Sequence, residues 1–195
     1  MPKPNRRDEI LQALAGMLQA NPGGRITTAA LAQQVGVSEA ALYRHFPSKA
    51  KMLEGLIEYA EQTLFTRINQ VLQEQSQAPQ RCHDIILLVI TFVERNPGFG
   101  RLFAGDALQG ETERLRNRMC QLLDRIETQL RQVLREHRTQ QTALPSHHVN
   151  PTANLMLALA EGRIAQFVRS DFRQLPSANW AEQWSQLHQG LFSNN

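Results

Sequence analysis

The run Ser38-Glu39-Ala40-Ala41-Leu42-Tyr43-Arg44-His45 holds the side chains best suited to chemistry, and that chemistry is recognition rather than bond-making. Small residues at its start let a backbone come close to base pairs, and the Ala40 methyl can meet a thymine methyl. Ser38, Tyr43 and Arg44 can hydrogen-bond to base edges or neighbouring phosphates, with Glu39 on the same outer face. His45 suits a phosphate contact better than a base contact.

No catalytic constellation accompanies this run. The chain has no glycine-rich phosphate cradle, no Ser-His-Asp grouping with local support, and no His pair one helical turn apart beside a carboxylate. His147 and His148 are adjacent, so they point different ways, and they lie in a polar stretch. Cys82 and Cys120 are far apart and read as buried thiols, not as a metal or redox pair. The expectation is a protein that is not an enzyme and needs no cofactor or metal.

Two short helices must carry the reading residues outward. Thr27 or Thr28 can cap the first and Ser38 the second, each hydroxyl accepting from a free amide of the first turn. Gly36 sits at the sharp turn between them, where a left-handed backbone favours glycine. Leu31, Val35, Val37, Leu42 and Phe46 are then free to pack the pair together. This is a helix-turn-helix, whose second helix enters a DNA major groove. Thr27, Thr28 and the Ser38 amides stand at helix starts, as does Ser48 with Lys49 in the following turn, and such starts bind phosphate. Arg6 and Arg7 read as further phosphate contacts, or as a flexible arm for the minor groove.

Charge falls on the same segment. The net charge is +3. Residues 1–55 hold seven basic and four acidic side chains, while the other 140 residues are balanced at fourteen of each. All the excess lies where phosphate attraction would use it.

Helical periodicity recurs through the remainder and no strand alternation persists. A first helix runs from Asn5 to Gln19 and stops at Asn-Pro-Gly-Gly (21–24). After the helix-turn-helix, a long helix runs from Ser48 to Gln75 and breaks at 77–79. Others follow at 80–96, up to Ala104, at 111–138, 151–168 and 180–192, with a loop at 139–150. Nine helices result, divided into a DNA-binding head at 1–47 and a body at 48–195. The N-terminus has no apolar run behind it and so reads as no signal peptide. The apolar stretch Ile85–Val93 falls far short of the roughly 20 residues of a membrane span. The chain therefore reads as cytoplasmic, with no membrane partner.

Ile26-Thr27-Thr28 and Tyr43-Arg-His-Phe-Pro-Ser-Lys49 resemble the head of the TetR family of bacterial regulators. That resemblance implies an all-α dimer, with a three-helix DNA domain on a body of about six helices, the last two pairing with their copies. The chain is similar in particular to the nucleoid-occlusion factors of that family. The matching runs include Asn5-Arg-Arg-Asp-Glu-Ile-Leu-Gln, Glu94-Arg-Asn-Pro-Gly98, Arg125 to Glu136 and Phe167-Val-Arg-Ser-Asp-Phe172. It departs from them at Asp106, Gln109 and Gly110, where they carry His, Met and Phe, and again in the loop at 139–150.

The resemblance implies a nucleoid-associated protein that binds palindromic chromosomal sites, with one dimer or two per site. Bound there, it would engage the division protein FtsZ and antagonise its assembly, so that no septum closes over DNA. It places the FtsZ tail against Tyr59, Arg67, Leu88, Thr91, Arg95 and Asn96. Tyr59 lies off the apolar stripe of its helix, and a cationic surface beside an apolar groove suits an acidic, hydrophobic peptide. The other reading of these residues is Leu88 and Thr91 as plain core, and Arg67 and Arg95 paired with Glu58, Glu61 or Glu94. Leu155, Leu159 and Phe167, with Trp180, Trp184, Leu187 and Leu191, form apolar stripes on the last two helices. A palindrome reader needs a two-fold partner, so these stripes read as the dimer interface. The alternative function is a repressor released by a small apolar ligand.

Overall fold

The structure is a computed structural model that describes residues 5–21, 26–140 and 148–192, with backbone only at 138–140. Most of the expected stop at 21–24, the extreme N-terminus, and the greater part of the loop at 139–150 lie outside the described residues. The described part is all-α. Its helices are α1 (Arg6–Ala20), α2 (Thr28–Val35), α3 (Glu39–His45), α4 (Lys49–Glu74), α5 (Ala78–Arg95), α6 (Pro97–Phe103), α7 (Glu113–Gln140), α8 (Val149–Arg169) and α9 (Trp180–Phe192). A 3-10 turn at Asp106–Leu108 stands before α7, where the helical periodicity gives no sign of it. No described helix is long and apolar enough to cross a membrane.

Four of these helices begin at polar side chains that satisfy free amides. Asn5 accepts from the Arg7 amide (3.3 Å), Thr27 from Ala30, Ser38 from Ala41 and Ser48 from Lys51, the last three at 3.2 Å. Each such cap contributes roughly 1 kcal/mol. Helix α5 starts at Ala78, earlier than the break at 77–79 suggested. Pro79 lies in its first turn, where a missing N–H leaves no bond unmade. Pro151 stands in the first turn of α8 for the same reason, and that helix starts at Val149.

Helix α5 occupies the middle of the body, as its apolar run implies. Ile85, Ile86, Ile90 and Val93 are 0% exposed, and the helix packs against α4, α7, α8 and α9. Burial also pushes the Cys82 thiol up to about 12, so it stays protonated, whereas Cys120 is exposed. Helix α4 belongs to both halves. Its Gly55 lies under Phe46, where an added Cβ would sit 3.0 Å from the ring, and its Ile68 is in the body core.

The head docks on the body chiefly through α1 against α6. At Gly98 a Cβ would lie 2.1 Å from the Ala15 carbonyl oxygen, so only glycine permits this approach of two backbones. Next to it the Arg101 side chain, 4% exposed, grips the end of α1. Its guanidinium donates to the Leu18 carbonyl (3.0 Å), to the Asn21 carbonyl, and to the Asp106 carboxylate (2.9 and 3.2 Å). The last carbonyls of a helix have no partner within it, and a buried cation is tolerated when bonded in this way.

Gly98→Ala should therefore destabilise the protein by roughly 1–3 kcal/mol, because a backbone oxygen cannot rotate aside. Gly16→Ala on α1, where an added Cβ meets nothing within 4 Å, should be neutral or stabilising by up to about 1 kcal/mol. Denaturant midpoints of the two variants test this, and equal stability of Gly98→Ala and the parent would contradict the docking described.

Candidate nucleic-acid interface

The turn between α2 and α3 is made by Gly36 at φ +71°, with the Val37 amide bonded back to the Ala32 carbonyl at 2.9 Å. Leu31 and Leu42 are buried to within 1%, Phe46 to within 2%, and Val35 and Val37 pack against the same core. That leaves Ser38, Glu39, Ala40, Tyr43, Arg44 and His45 all exposed, with Glu39, Ala40, Tyr43 and Arg44 sharing one face of α3 and His45 turned away from it at the end of the helix. Thr27, not Thr28, is the cap of α2, and this frees the Thr28 hydroxyl for α3. Tyr43 Oη donates to Thr28 Oγ1 (3.2 Å), which donates to a Glu39 carboxylate oxygen (2.8 Å). The three side chains fix one another at the start of the two helices. Glu39 keeps acceptor capacity of the kind that meets a cytosine amine.

The cations of the head differ in what holds them. Of Arg6, Arg7, Arg44, Lys49 and Lys51, only Arg44 forms no ion pair with the described residues. Arg6 pairs with Glu9 at 2.5 Å. Arg7 lies over the Phe46 ring, 4.7 Å from its centre, and reaches Glu58 at 3.6 Å. Both arginines belong to the first turn of α1, so neither is on an arm preceding it; the arm reading is corrected for these two residues. Lys51 holds Glu54 at 2.5 Å, and that hydrogen bond keeps the Glu54 carboxyl below the usual carboxylate range. Lys49, at the start of α4, pairs with Glu111 of the body at 2.9 Å.

A second surface lies on the other side of α1. Tyr59, 51% exposed, sets its ring 5.8 Å from that of Phe99. These two, with Arg95 and Asn96, face Gln12 and Gln19 of α1 across a hollow of 320 Å³. Arg67 stands further along α4, bonded to Gln70, and does not line it. Leu88 and Thr91 do not line it either; both are half-buried, and the Thr91 hydroxyl donates to the Leu87 carbonyl at 2.6 Å. The six residues expected to act together thus divide, with Tyr59, Arg95 and Asn96 meeting at the hollow. The acids that could have neutralised the arginines are engaged elsewhere. Glu58 takes Arg7, Glu61 takes Arg118 and Arg125, and Glu94 accepts from the Ser177 amide and hydroxyl.

The third surface is an open hollow of 580 Å³ between α8 and α9, lined among others by Leu155, Leu159, Leu187 and Leu191. Leu155 is 49% exposed, and Gly162 and Gly190 leave open space beside it. Phe167 and Trp180 are not on this face: they are 1% and 4% exposed and belong to the protomer's own core. Phe167 is about 120° round α8 from Leu155 by helical period, which turns it onto Phe172. Trp180 is tucked under Arg163 and beside His83 of α5, and Trp184 also turns toward His83.

Sequence reasoning missed Gly98, Arg101 and Glu111. An arginine inside Gly98-Phe-Gly-Arg101-Leu-Phe103 was a usable signal, since a charge in an apolar run must find partners. Nothing local marks Glu111.

Comparison with known proteins agrees with the all-α fold. Residues 10–56 match the family model for bacterial regulatory proteins of the tetR family, and residues 76–192 match a tetracyclin repressor-like C-terminal domain of SlmA type. The chain is 58% identical over 192 residues to the nucleoid occlusion factor SlmA of Marinomonas sp., covering 98% of each chain. It is 55% identical to that of Idiomarina loihiensis, covering 98% of this chain and 97% of the relative. Among solved structures it superposes on the regulator FadR of Bacillus subtilis, solved with stearoyl-CoA, with a TM-score of 0.82 at 16% identity, covering 94% of this chain and 98% of that one. It superposes on PfmR of Thermus thermophilus with a TM-score of 0.75 at 24% identity, covering 94% and 99%.

With its charge unopposed on the exposed face of α3, Arg44 should matter most among the head cations. Arg44→Ala is expected to weaken binding to a duplex selected by this protein from a random pool by roughly 1–3 kcal/mol. A fluorescence-anisotropy titration measures it, and undiminished affinity would mean that α3 does not read DNA.

Proposed function

The chain belongs to the nucleoid occlusion factor SlmA family of TetR-type regulators, which bind operator DNA as dimers, and from that membership we propose that it restrains cell division over the chromosome. Its head, residues 1–47, reads palindromic sites through Ser38, Glu39, Ala40, Tyr43, Arg44 and His45. Arg6, Arg7, Thr27, Thr28 and Lys49 hold the phosphates. Its body, residues 48–195, pairs two protomers through the leucines of α8 and α9 and receives the C-terminal tail of FtsZ. The protein acts in the cytoplasm, on the nucleoid, and carries out no catalysis.

One observation carries this reading: α1 is a wall of the Tyr59–Arg95–Asn96 hollow and also part of the head's core. An acidic, hydrophobic tail would set its apolar side chains against Tyr59 and Phe99 and its carboxylates near Arg95. If DNA fixes α1 in one position, the hollow is fixed with it, and the two ligands strengthen one another reciprocally.

Sedimentation of FtsZ polymers with this protein, with and without the selected duplex, tests the proposal. The pelleted fraction should fall, and fall further when the duplex is present. Arg95→Asp should abolish the effect while leaving DNA affinity unchanged. A pellet indifferent to the protein in both conditions would overturn the FtsZ reading, and an effect surviving in Arg95→Asp would put the tail elsewhere.

A further inference from the structure

The body segment after α6 reaches back to the DNA face of the head. Gly105 (φ +80°) starts it, the 3-10 turn follows, Gly110 (φ +75°) reverses it, and Glu111 ends it. Each end of the segment is held. Arg101 binds Asp106, Leu108 is 2% exposed, and the Glu111 amide donates to the Leu108 carbonyl at 3.1 Å. The Glu111 carbonyl accepts from the Arg116 guanidinium. The Glu111 carboxylate is thus placed by its backbone before any ligand arrives, and its side chain is only 16% exposed. It lines a cleft of 1030 Å³ together with Thr27, Thr28 and Lys49, assigned above to the phosphates, and Tyr43 of the reading face. In that cleft it sits 2.9 Å from the Lys49 ammonium.

We infer that Glu111 competes with DNA phosphate for Lys49 and so sets the affinity of the head from the body side. The inference rests on the DNA reading of the head given above. A lysine ammonium is a compact charge, and the part of its field spent on a fixed carboxylate is not available to a phosphate. The carboxylate also repels any phosphate that approaches the same ammonium. Binding DNA must therefore either break the pair or accept a weaker contact at Lys49. The pair is partly exposed, so it is no large contributor to stability, and its removal should leave the fold intact.

Glu111→Gln keeps the shape and removes the charge. Against a labelled duplex selected from a random pool, it should bind several-fold more tightly than the parent. Its plot of log affinity against log salt should be steeper by about 1, the signature of one additional neutralised phosphate. Lys49→Ala should bind more weakly, and adding Glu111→Gln to Lys49→Ala should produce no gain, because the effect passes through Lys49. Unchanged or weaker binding by Glu111→Gln overturns the inference. So does an equal gain in the Lys49→Ala background, which would mark a general charge effect. Arg44→Ala measured alongside separates the two levels. If it loses affinity while Glu111→Gln does nothing, only the competition is wrong; if it too does nothing, the DNA reading of α3 has failed. Thermal melting of each variant should match the parent within a few degrees.

Discussion

At Gly98 the backbone of α6 approaches the carbonyl of Ala15 closely enough that no side chain fits between them, and Arg101 immediately beyond it binds the end of α1. This contact, together with α4 running through both halves, makes the head and body one object. Helix α1 is short, its buried stripe of Ile10, Leu11, Leu14, Met17 and Leu18 is shared with the head, and its own stability would be marginal alone. Fixed by a backbone contact and a buried guanidinium, it becomes the base on which α2 and α3 are carried. The polar face of α3 is then held at a set angle to the α8–α9 face proposed to pair two protomers. It is the relation between those two surfaces that a palindromic duplex would sense.

The electrostatics of the head follow from the same arrangement. A count of charges makes residues 1–55 uniformly attractive to phosphate, but folding distributes that charge unequally. Arg44 is left free, Arg6 and Arg7 are drawn to acids of α1 and α4, Lys51 is spent on Glu54, and Lys49 is held by the body. A cation bound to a carboxylate on the surface is not lost, since such pairs are worth about 1 kcal/mol or less and can exchange partners. It is nevertheless weighted against the ligand. Among its described residues the head thus carries Arg44 poised for contact and other cations that must be won from an internal partner.

Much of this was legible in the residues. The caps Asn5, Thr27, Ser38 and Ser48, the left-handed Gly36 and the alternation of buried Leu42 and Phe46 with exposed Tyr43 and Arg44 are local properties of a helix, and the helices stand where those signals put them. The 3-10 turn at Asp106–Leu108 left no such trace, since it depends on two glycines at positive φ and on Arg101 reaching Asp106. The division of the expected groove was equally hidden. Tyr59, Arg95 and Asn96 meet because α1 closes over them, whereas Arg67, Leu88 and Thr91 share their periodicity but not that neighbour. Phe167 and Trp180 look like interface residues by type, but the first is turned inward by the helical period and the second lies under Arg163.

The sequence by itself determined the helices, the capped starts of the first four, the turn between α2 and α3, and which side of α3 is polar. All of these arise from hydrogen bonds and steric limits within a few residues of chain. Only the tertiary structure decided which cations are free, which residues form the hollow beside α1, and that a carboxylate more than sixty positions away sits on Lys49. Such facts depend on distances in space between segments that the chain order does not relate. A side chain's charge can be read from its type, but its effective strength is set by whatever the fold brings within a few ångströms of it.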